Sequence, residues 1–418
     1  MLSRTLAVLA LPGAAFGAIN KGDSTRQALT FRPDGKFKIA IIEDLHYGEA
    51  PASYGPVQDA LTTNVIGGLL DNEADTDFVV FNGDIISRDD IFRNNTARYI
   101  DQMVAPLVNR SLPWATLYGN HDPGYNRSTI EMRAQERTYP GSRTLSQVPN
   151  PQRVGVSNYY LPVFDSDCPA GCGCTPELLI WFFDSRSGFA YQQLKNDSSR
   201  VDQPSWVAPE AVDWFRQENM RLTAKYRRTI PSIAFVHIPV NAFTAIEAGP
   251  GIDPQRNPGL NDMEITGQAF GWCQDGVKNS SCAWGKQDIP FMEAISSTPG
   301  LMAMFSAHIH GASWCYKWTE DTMPEYPVQP KIDGGLNICF GQHTGYGGAG
   351  DWERGSRLLL LQQDKLAKGE LDTWIRLESS EVVGSVTLNA TYGQDAYPAT
   401  PITKTFCDEC IKLGKKQG

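Results

Sequence analysis

Five apolar runs in this 418-residue chain each stop abruptly at residues able to bind metal or phosphate. Phe37–Ile42 leads to Glu43, Asp44 and His46, and Asp77–Asn82 to Gly83 and Asp84. Trp114–Tyr118 ends in Gly119, Asn120, His121 and Asp122. Ile230–Val236 ends in His237, and Leu301–Ala307 in His308, Ile309, His310 and Gly311. Runs this short and this apolar, rich in β-branched and aromatic residues, are buried strands. Open α/β sheets carry their sites at the carboxyl ends of such strands.

Helical patterns separate the first three runs. A helix is expected from about 57 to 71, with Leu61, Val65, Leu69 and Leu70 as its apolar stripe, and a second over 95–109 with Ile100, Met103, Val104 and Leu107 inward. The first third thus reads β-α-β-α-β, which predicts an α/β layered fold. Further on, a short helix is expected around 128–137 and another over 209–226. Strands are expected at 158–163, 178–184, 313–318, 336–340, 357–362 and 372–377. Residues 241–286 read as one long loop rich in Gly, Pro and Asn, followed by a helix around 287–297. Loops of that length usually carry specificity. Residues 18–400 are expected to form a single domain with a β-rich C-terminal part, and 401–418 a loose tail.

The chain has only six His, and five of them stand at predicted strand tips: His46, His121, His237, His308 and His310. Asp44, Asp84, Asn120 and Asp122 stand beside them. One His at a tip is ordinarily a satisfied polar residue; five at the same end of separate strands is not a packing outcome. Imidazole, carboxylate and amide oxygen suit Zn, Mn or Fe. The set exceeds one tetrahedral shell, but two metals sharing a carboxylate account for it. Such a pair clamps the attacking and leaving oxygens of a displacement at phosphorus and makes a hydroxide available as nucleophile at mild pH.

The N-terminus reads as an address. Arg4 precedes the apolar run Thr5–Phe16, and small residues around Gly17 and Ala18 offer a cleavage point, so 1–17 is expected to be a secretory signal peptide. Nine Cys and six glycosylation sequons, at Asn94, Asn109, Asn126, Asn196, Asn279 and Asn389, agree with a secreted, disulfide-bearing product carrying N-glycans. Cys273 with Cys282 is the preferred local pair. Cys168, Cys172 and Cys174 lack a nearby His, so a disulfide-stapled loop is preferred over a zinc knot. Nine is odd, so at least one thiol is free or pairs between chains. The balance of 37 Lys and Arg against 47 Asp and Glu, net −10, argues against coating nucleic acid. No stretch after the leader is long and apolar enough for a membrane span.

Asp44-x-His46, Gly83-Asp84, Gly119-Asn120-His121-Asp122, Val236-His237 and His308-x-His310-Gly311 together resemble the calcineurin-like metallophosphoesterase superfamily, over about residues 37–312. The resemblance implies a two-sheet β-sandwich flanked by helices, with a dinuclear site at its rim. It implies that Asp44, His46 and His310 hold the first metal, that Asp84 bridges, and that Asn120, His237 and His308 hold the second. His121 is implied to be the non-ligand that meets the phosphate and protonates the leaving oxygen. Asp122 either orients His121 or caps backbone, and His343 is either a pocket residue or a surface His.

The leader and the segment Gly341–Gly348 are similar to the secreted purple acid phosphatase-like branch. One departure matters: true purple acid phosphatases have Tyr three residues after the bridging Asp and lack the His of Asp-x-His. Here Ser87 stands at that position and His46 is present, which predicts a colourless protein. Ser87 also denies His121 the carboxylate partner of the protein Ser/Thr phosphatases. The expected function is hydrolysis of a small phosphorylated substrate, first a monoester; alternatives are a phosphodiester or nucleotide, or an inactive, metal-stabilised binding protein. Arg88 and Arg354 are candidates to neutralise phosphate, and Tyr47, Tyr125, Trp272, Trp314 and Tyr346 to stack on a leaving group.

Overall fold

The computed structural model describes residues 27–87, 93–168 and 173–416. The expected signal peptide, Arg88 and Cys172 lie outside the described residues. In chain order the elements are β1 (Leu29–Thr30), β2 (Lys36–Ile42), α1 (Gly55–Asn72), β3 (Phe78–Asn82), α2 (Arg93–Val108), β4 (Trp114–Leu117), α3 (Thr129–Glu136) and α4 (Pro151–Val154). Next come β5 (Tyr159–Phe164), β6 (Leu178–Phe183), β7 (Phe189–Leu194), β8 (Arg200–Asp202), α5 (Pro209–Tyr226), β9 (Ser232–Val236) and α6 (Asn241–Ala248). They are followed by α7 (Ile289–Ile295), β10 (Leu301–Ser306), β11 (Cys315–Trp318), β12 (Leu336–Phe340) and β13 (Gly355–Gln362). The last are α8 (Gln363–Leu366), β14 (Leu371–Leu377), β15 (Val382–Leu388) and α9 (Asp408–Lys412).

Two sheets pack face to face. One has the order β1-β5-β6-β9-β10-β12-β11 and the other β15-β14-β13-β2-β3-β4, while β7 and β8 form a separate hairpin. The period of two along each strand explains the layers. Ile39 and Ile41 of β2 point inward with Phe78, Val80 and Leu117, against Ile180, Phe182, Phe235 and Phe305 of the other sheet. Ala40, Ile42, Val79 and Phe81 face outward, onto Ile66 and Leu70 of α1 and Ile100, Met103 and Val104 of α2. On the opposite side Trp181, Ala234, Val236 and Met304 meet Phe215 of α5 and Phe291 of α7. The fold is therefore a helix-flanked two-sheet α/β sandwich, and strands buried on both faces read as continuous apolar runs. No helix among the described residues is long and apolar enough to cross a membrane.

Some elements differ from the sequence reading. The 241–286 segment opens with α6, whose Ala242, Phe243 and Ile246 are buried at helical spacing. The α1 stripe is split: Leu70 meets the sheet together with Ile66, which the stripe did not include, whereas Leu61, Val65 and Leu69 pack with Tyr346, Cys407 and Cys410. Residues 401–416, read as a loose tail, carry α9, and Lys415 Nζ donates to the Tyr346 carbonyl at 2.7 Å. The sequence reading does not contain the hairpin β7–β8: its strands are short and largely exposed, and Phe189, Ala190, Tyr191 and Leu194 do not alternate with polar residues along β7. Cys168–Cys174, Cys273–Cys282, Cys315–Cys339 and Cys407–Cys410 are disulfide-bonded, so Cys168 and Cys174 staple a loop.

Candidate metal centre

The topology brings the tips together. β2, β3 and β4 are mutually parallel in one sheet, and β6, β9, β10 and β12 in the other. Asp44 and His46 follow β2, Asp84 follows β3, and Asn120 and His121 follow β4. His237 follows β9, and His308 and His310 follow β10.

These side chains form one cluster. Asp44, His46 and His310 make a group whose potential ligand atoms lie within 4.8 Å of one another; so do Asp84, His237 and His308, and so do His46, Asp84 and His121. His46 Nε2 is 3.2 Å from His310 Nε2, and His237 Nε2 is 3.2 Å from both Asp84 Oδ2 and Asn120 Oδ1. Asp44 Oδ1 is 3.6 Å from His310 Nε2 and 3.9 Å from His237 Nε2. Asp84 thus stands between the two sets, with His46 Nε2 3.8 Å from its Oδ2.

Backbone groups aim these rings. His237 Nδ1 donates to the Asn82 carbonyl at 2.8 Å, and His310 Nδ1 to the Ala349 carbonyl at 2.6 Å. With Nδ1 committed to a carbonyl, Nε2 faces inward, where a metal would take the place of its proton. Four non-glycine residues of the cluster are in the left-handed region: Asp44 at φ 55°, His46 at 50°, Asp84 at 50° and His308 at 74°. Each such residue costs roughly 1–3 kcal/mol and persists only where its surroundings over-determine it.

Close approach explains two glycines. A Cβ at Gly119 would lie 2.3 Å from Asp84 Oδ1, and one at Gly348, φ 73°, would lie 2.6 Å from His310 Cε1 and 2.7 Å from His46 Cδ2.

Carboxylates and imidazoles of the cluster shift one another strongly. Burial alone would raise the Asp84 carboxyl, but His237 and His121 hold it well below the ordinary carboxylate range. Burial also disfavours charge on His237, yet Asp84 and Asp44 push that imidazole up to about 10. Burial, then the His237 charge, drives His308 down to about 3. Asp44 Oδ1 is buried without a hydrogen-bond partner among the described residues. A buried carboxylate oxygen without a hydrogen bond, beside inward-facing Nε2 atoms, is a donor set that fits a metal pair.

The neighbours of the cluster are now definite. Asp122 caps backbone: its Oδ1 accepts from the amides of Ile85 and Ile86 at 2.9 and 3.0 Å, and its Oδ2 from Gly119 at 2.7 Å. His121 is half-buried, its amide donates to Asp84 Oδ1 at 2.7 Å, and its ring lies 4.8 Å from that of His46. His343 is no surface residue; it is buried and stacks on His310 at 4.0 Å. Arg354 serves the Gly-rich loop, donating to the carbonyls of Gly350 and Trp352 beneath Tyr346. Tyr47, Trp272, Trp314 and Tyr346 are buried, and Tyr125 is half-buried. The sequence reading missed Asn82, Ala349 and Arg127. The first two act through carbonyls, which carry no residue signature, and Arg127 lies in a polar loop without a motif. A cavity of about 460 Å³ behind the β4 tip, lined by Tyr118, Gly119, Arg127 and Asp184 among others, includes none of the cluster residues. The half-exposed His121 and His308 instead put the cluster at the rim.

The chain belongs to the calcineurin-like phosphoesterase family, whose model matches residues 37–311. It is 25% identical over 411 residues to an Arabidopsis thaliana protein named "Probable inactive purple acid phosphatase 14", covering 90% of this chain and 89% of the relative. It is 23% identical over 371 residues to "Phosphatase DCR2" of Saccharomyces cerevisiae, covering 86% of this chain and 56% of that protein. A dimetal phosphatase from Danio rerio, solved by crystallography, aligns at 13% identity and a TM-score of 0.46, covering 85% of this chain and 99% of its own.

Proposed function

We propose that the protein is a secreted phosphomonoesterase of acid-phosphatase type, acting on a small phosphorylated substrate at a centre of two metals drawn from Fe, Zn and Mn. Asp44, His46 and His310 would hold one metal, Asn120, His237 and His308 the other, with Asp84 shared. The observation that carries the reading is the fixed orientation of His237 and His310, whose Nδ1 atoms are committed to backbone carbonyls so that Nε2 faces Asp44 and Asp84. When bound, such a pair supplies an activated water and neutralises charge on the phosphoryl oxygens.

The chain's own residues do the rest. His121, half-buried at the rim and tied through its amide to Asp84, meets the phosphate and gives its proton to the departing oxygen. The Asp122 caps keep that loop in register with the β3 tip, which holds the proton donor at a constant distance from phosphorus.

Secretion is supported by the leader pattern, by four disulfides and by six sequons whose Asn residues are all exposed or half-buried. A phosphodiesterase or nucleotide hydrolase on the same centre is the neighbouring reading. A metal-stabilised binding protein without activity is the other, favoured by the name of the Arabidopsis relative; the presence of the whole donor set and His121 stands against it.

The test is hydrolysis of a chromogenic monoester and a chromogenic diester, with elemental analysis of the same sample, for wild type, Asn120→Ala and His121→Ala. Faster monoester cleavage, lost in both variants, is expected. Diester preference would move the reading to its neighbour, and equal rates in all three proteins would end it.

A further inference from the structure

Arg127 is buried to 1% exposure, three residues past Gly124 in a tight turn where Gly124 and Arg127 exchange backbone hydrogen bonds of 3.1 Å. The turn folds its guanidinium back over the loop after β4. Nε donates to the Asp122 carbonyl at 2.5 Å, one terminal nitrogen to the His121 carbonyl, and the other to the Ser87 carbonyl at 2.9 Å. Burying a guanidinium is costly unless its donors are satisfied, and three carbonyls fixed by a planar fork offset that cost. Those carbonyls come from the two loops that carry Asp84 and His121. Ser87 has no carboxylate with which to steady His121, and the Arg127 fork joins the Ser87 backbone to the His121 backbone at this same place.

We infer that Arg127 is the positioning residue for His121: it sets where that imidazole stands relative to phosphorus by clamping the His121, Asp122 and Ser87 carbonyls together. This rests on the proposed role of His121 as proton donor. Arg127 is not among the clustered donors, so its removal is expected to move turnover while leaving substrate affinity and metal content in place. Lys cannot replace it, because an ammonium is a single point donor and cannot span three carbonyls in a plane.

The test is a double-mutant cycle with Arg127→Met, Arg127→Lys and His121→Asn, with kcat, KM and metal content measured for each protein. Arg127→Met and Arg127→Lys are each expected to lower kcat by about 10- to 100-fold with KM within about threefold, since small displacements of a reacting group cost that much. In the His121→Asn background the same substitutions are expected to cost less than about threefold, because residues acting as a unit are non-additive. Equal losses in both backgrounds, loss of metal from the Lys variant, or full kcat in that variant would overturn the inference while leaving the role of His121 intact. Wild-type kcat in His121→Asn alone would remove that role and the Arg127 inference with it. If the Met variant fails to fold, the Lys pair carries the same comparison.

Discussion

The Nε2 atoms of His46 and His310 lie 3.2 Å apart although 264 positions separate the two residues. One ring follows β2 in the six-stranded sheet and the other follows β10 in the seven-stranded sheet, so the contact spans the sandwich at its rim. Two buried imidazole nitrogens at that separation share either a proton or a cation. The Ala349 carbonyl already takes the Nδ1 proton of His310, which leaves its Nε2 free to serve as a ligand.

His310→Ala is accordingly expected to lose one of two metals per chain and to lower hydrolysis by at least about 100-fold, the upper range for altering a metal site's ligand surroundings. Elemental analysis beside the ester assay reads both. A variant that keeps its full metal complement would contradict the assignment of His310.

Asp122→Asn replaces a carboxylate that accepts from three backbone amides with a group whose NH2 must face one of them. A cost of about 1–3 kcal/mol is expected from the donor left without an acceptor. Denaturant unfolding measures it, and a change of midpoint too small to resolve would show that the caps contribute nothing.

Gly348→Ala combines a left-handed backbone with a Cβ 2.6 Å from His310 Cε1. Displacement of the His46 and His310 rings is expected, seen as weaker metal retention during dialysis against a chelator. Gly369, also left-handed but with open space around its Cβ, is the control: Gly369→Ala should retain metal as wild type does.

Asp288 gives a pH dependence remote from the metal cluster. Burial drives its carboxyl up to about 6, against the amide of Asn241 and the indole of Trp284, which donate to it and favour the ionised form. The folded state therefore binds a proton that the unfolded chain releases near pH 4, so stability from this group falls as pH rises from about 4 to about 6. The shift is worth about 3 kcal/mol at most. Asp288→Asn cannot titrate, so the stability of wild type relative to the variant should decline across that window and stay flat above it. A pH-independent difference would exclude a raised carboxyl.

Ser87 stands three residues past Asp84, where the sequence resemblance would put Tyr in a purple protein, and Tyr47 is buried and hydrogen-bonded to Thr63. The metal-loaded protein should lack a strong visible charge-transfer band. An absorption spectrum of pure protein decides this, and a purple or pink sample would refute it.

Much of this was legible in the chain alone. Strands buried on both faces announced themselves as unbroken apolar runs, and an α/β layered fold followed from β2-α1-β3-α2-β4. The donors stood where each run stopped, because a strand that ends at a rim must exchange apolar side chains for polar ones within one or two residues. Those are local signals, written in residue type and spacing, and they sufficed to nominate Asp44, His46, Asp84, Asn120, His121, His237, His308 and His310. The tertiary structure decided what depends on partners distant in sequence. It aimed His237 and His310 with the carbonyls of Asn82 and Ala349, which every residue type possesses and no sequence pattern marks. It turned Asp122 to the backbone, buried His343 against His310, packed most of the α1 stripe with Tyr346, Cys407 and Cys410, and set the Arg127 guanidinium over the His121 carbonyl. Side-chain chemistry is carried by the residue itself; orientation is a property of the contacts it meets, and those exist only once the two sheets have closed.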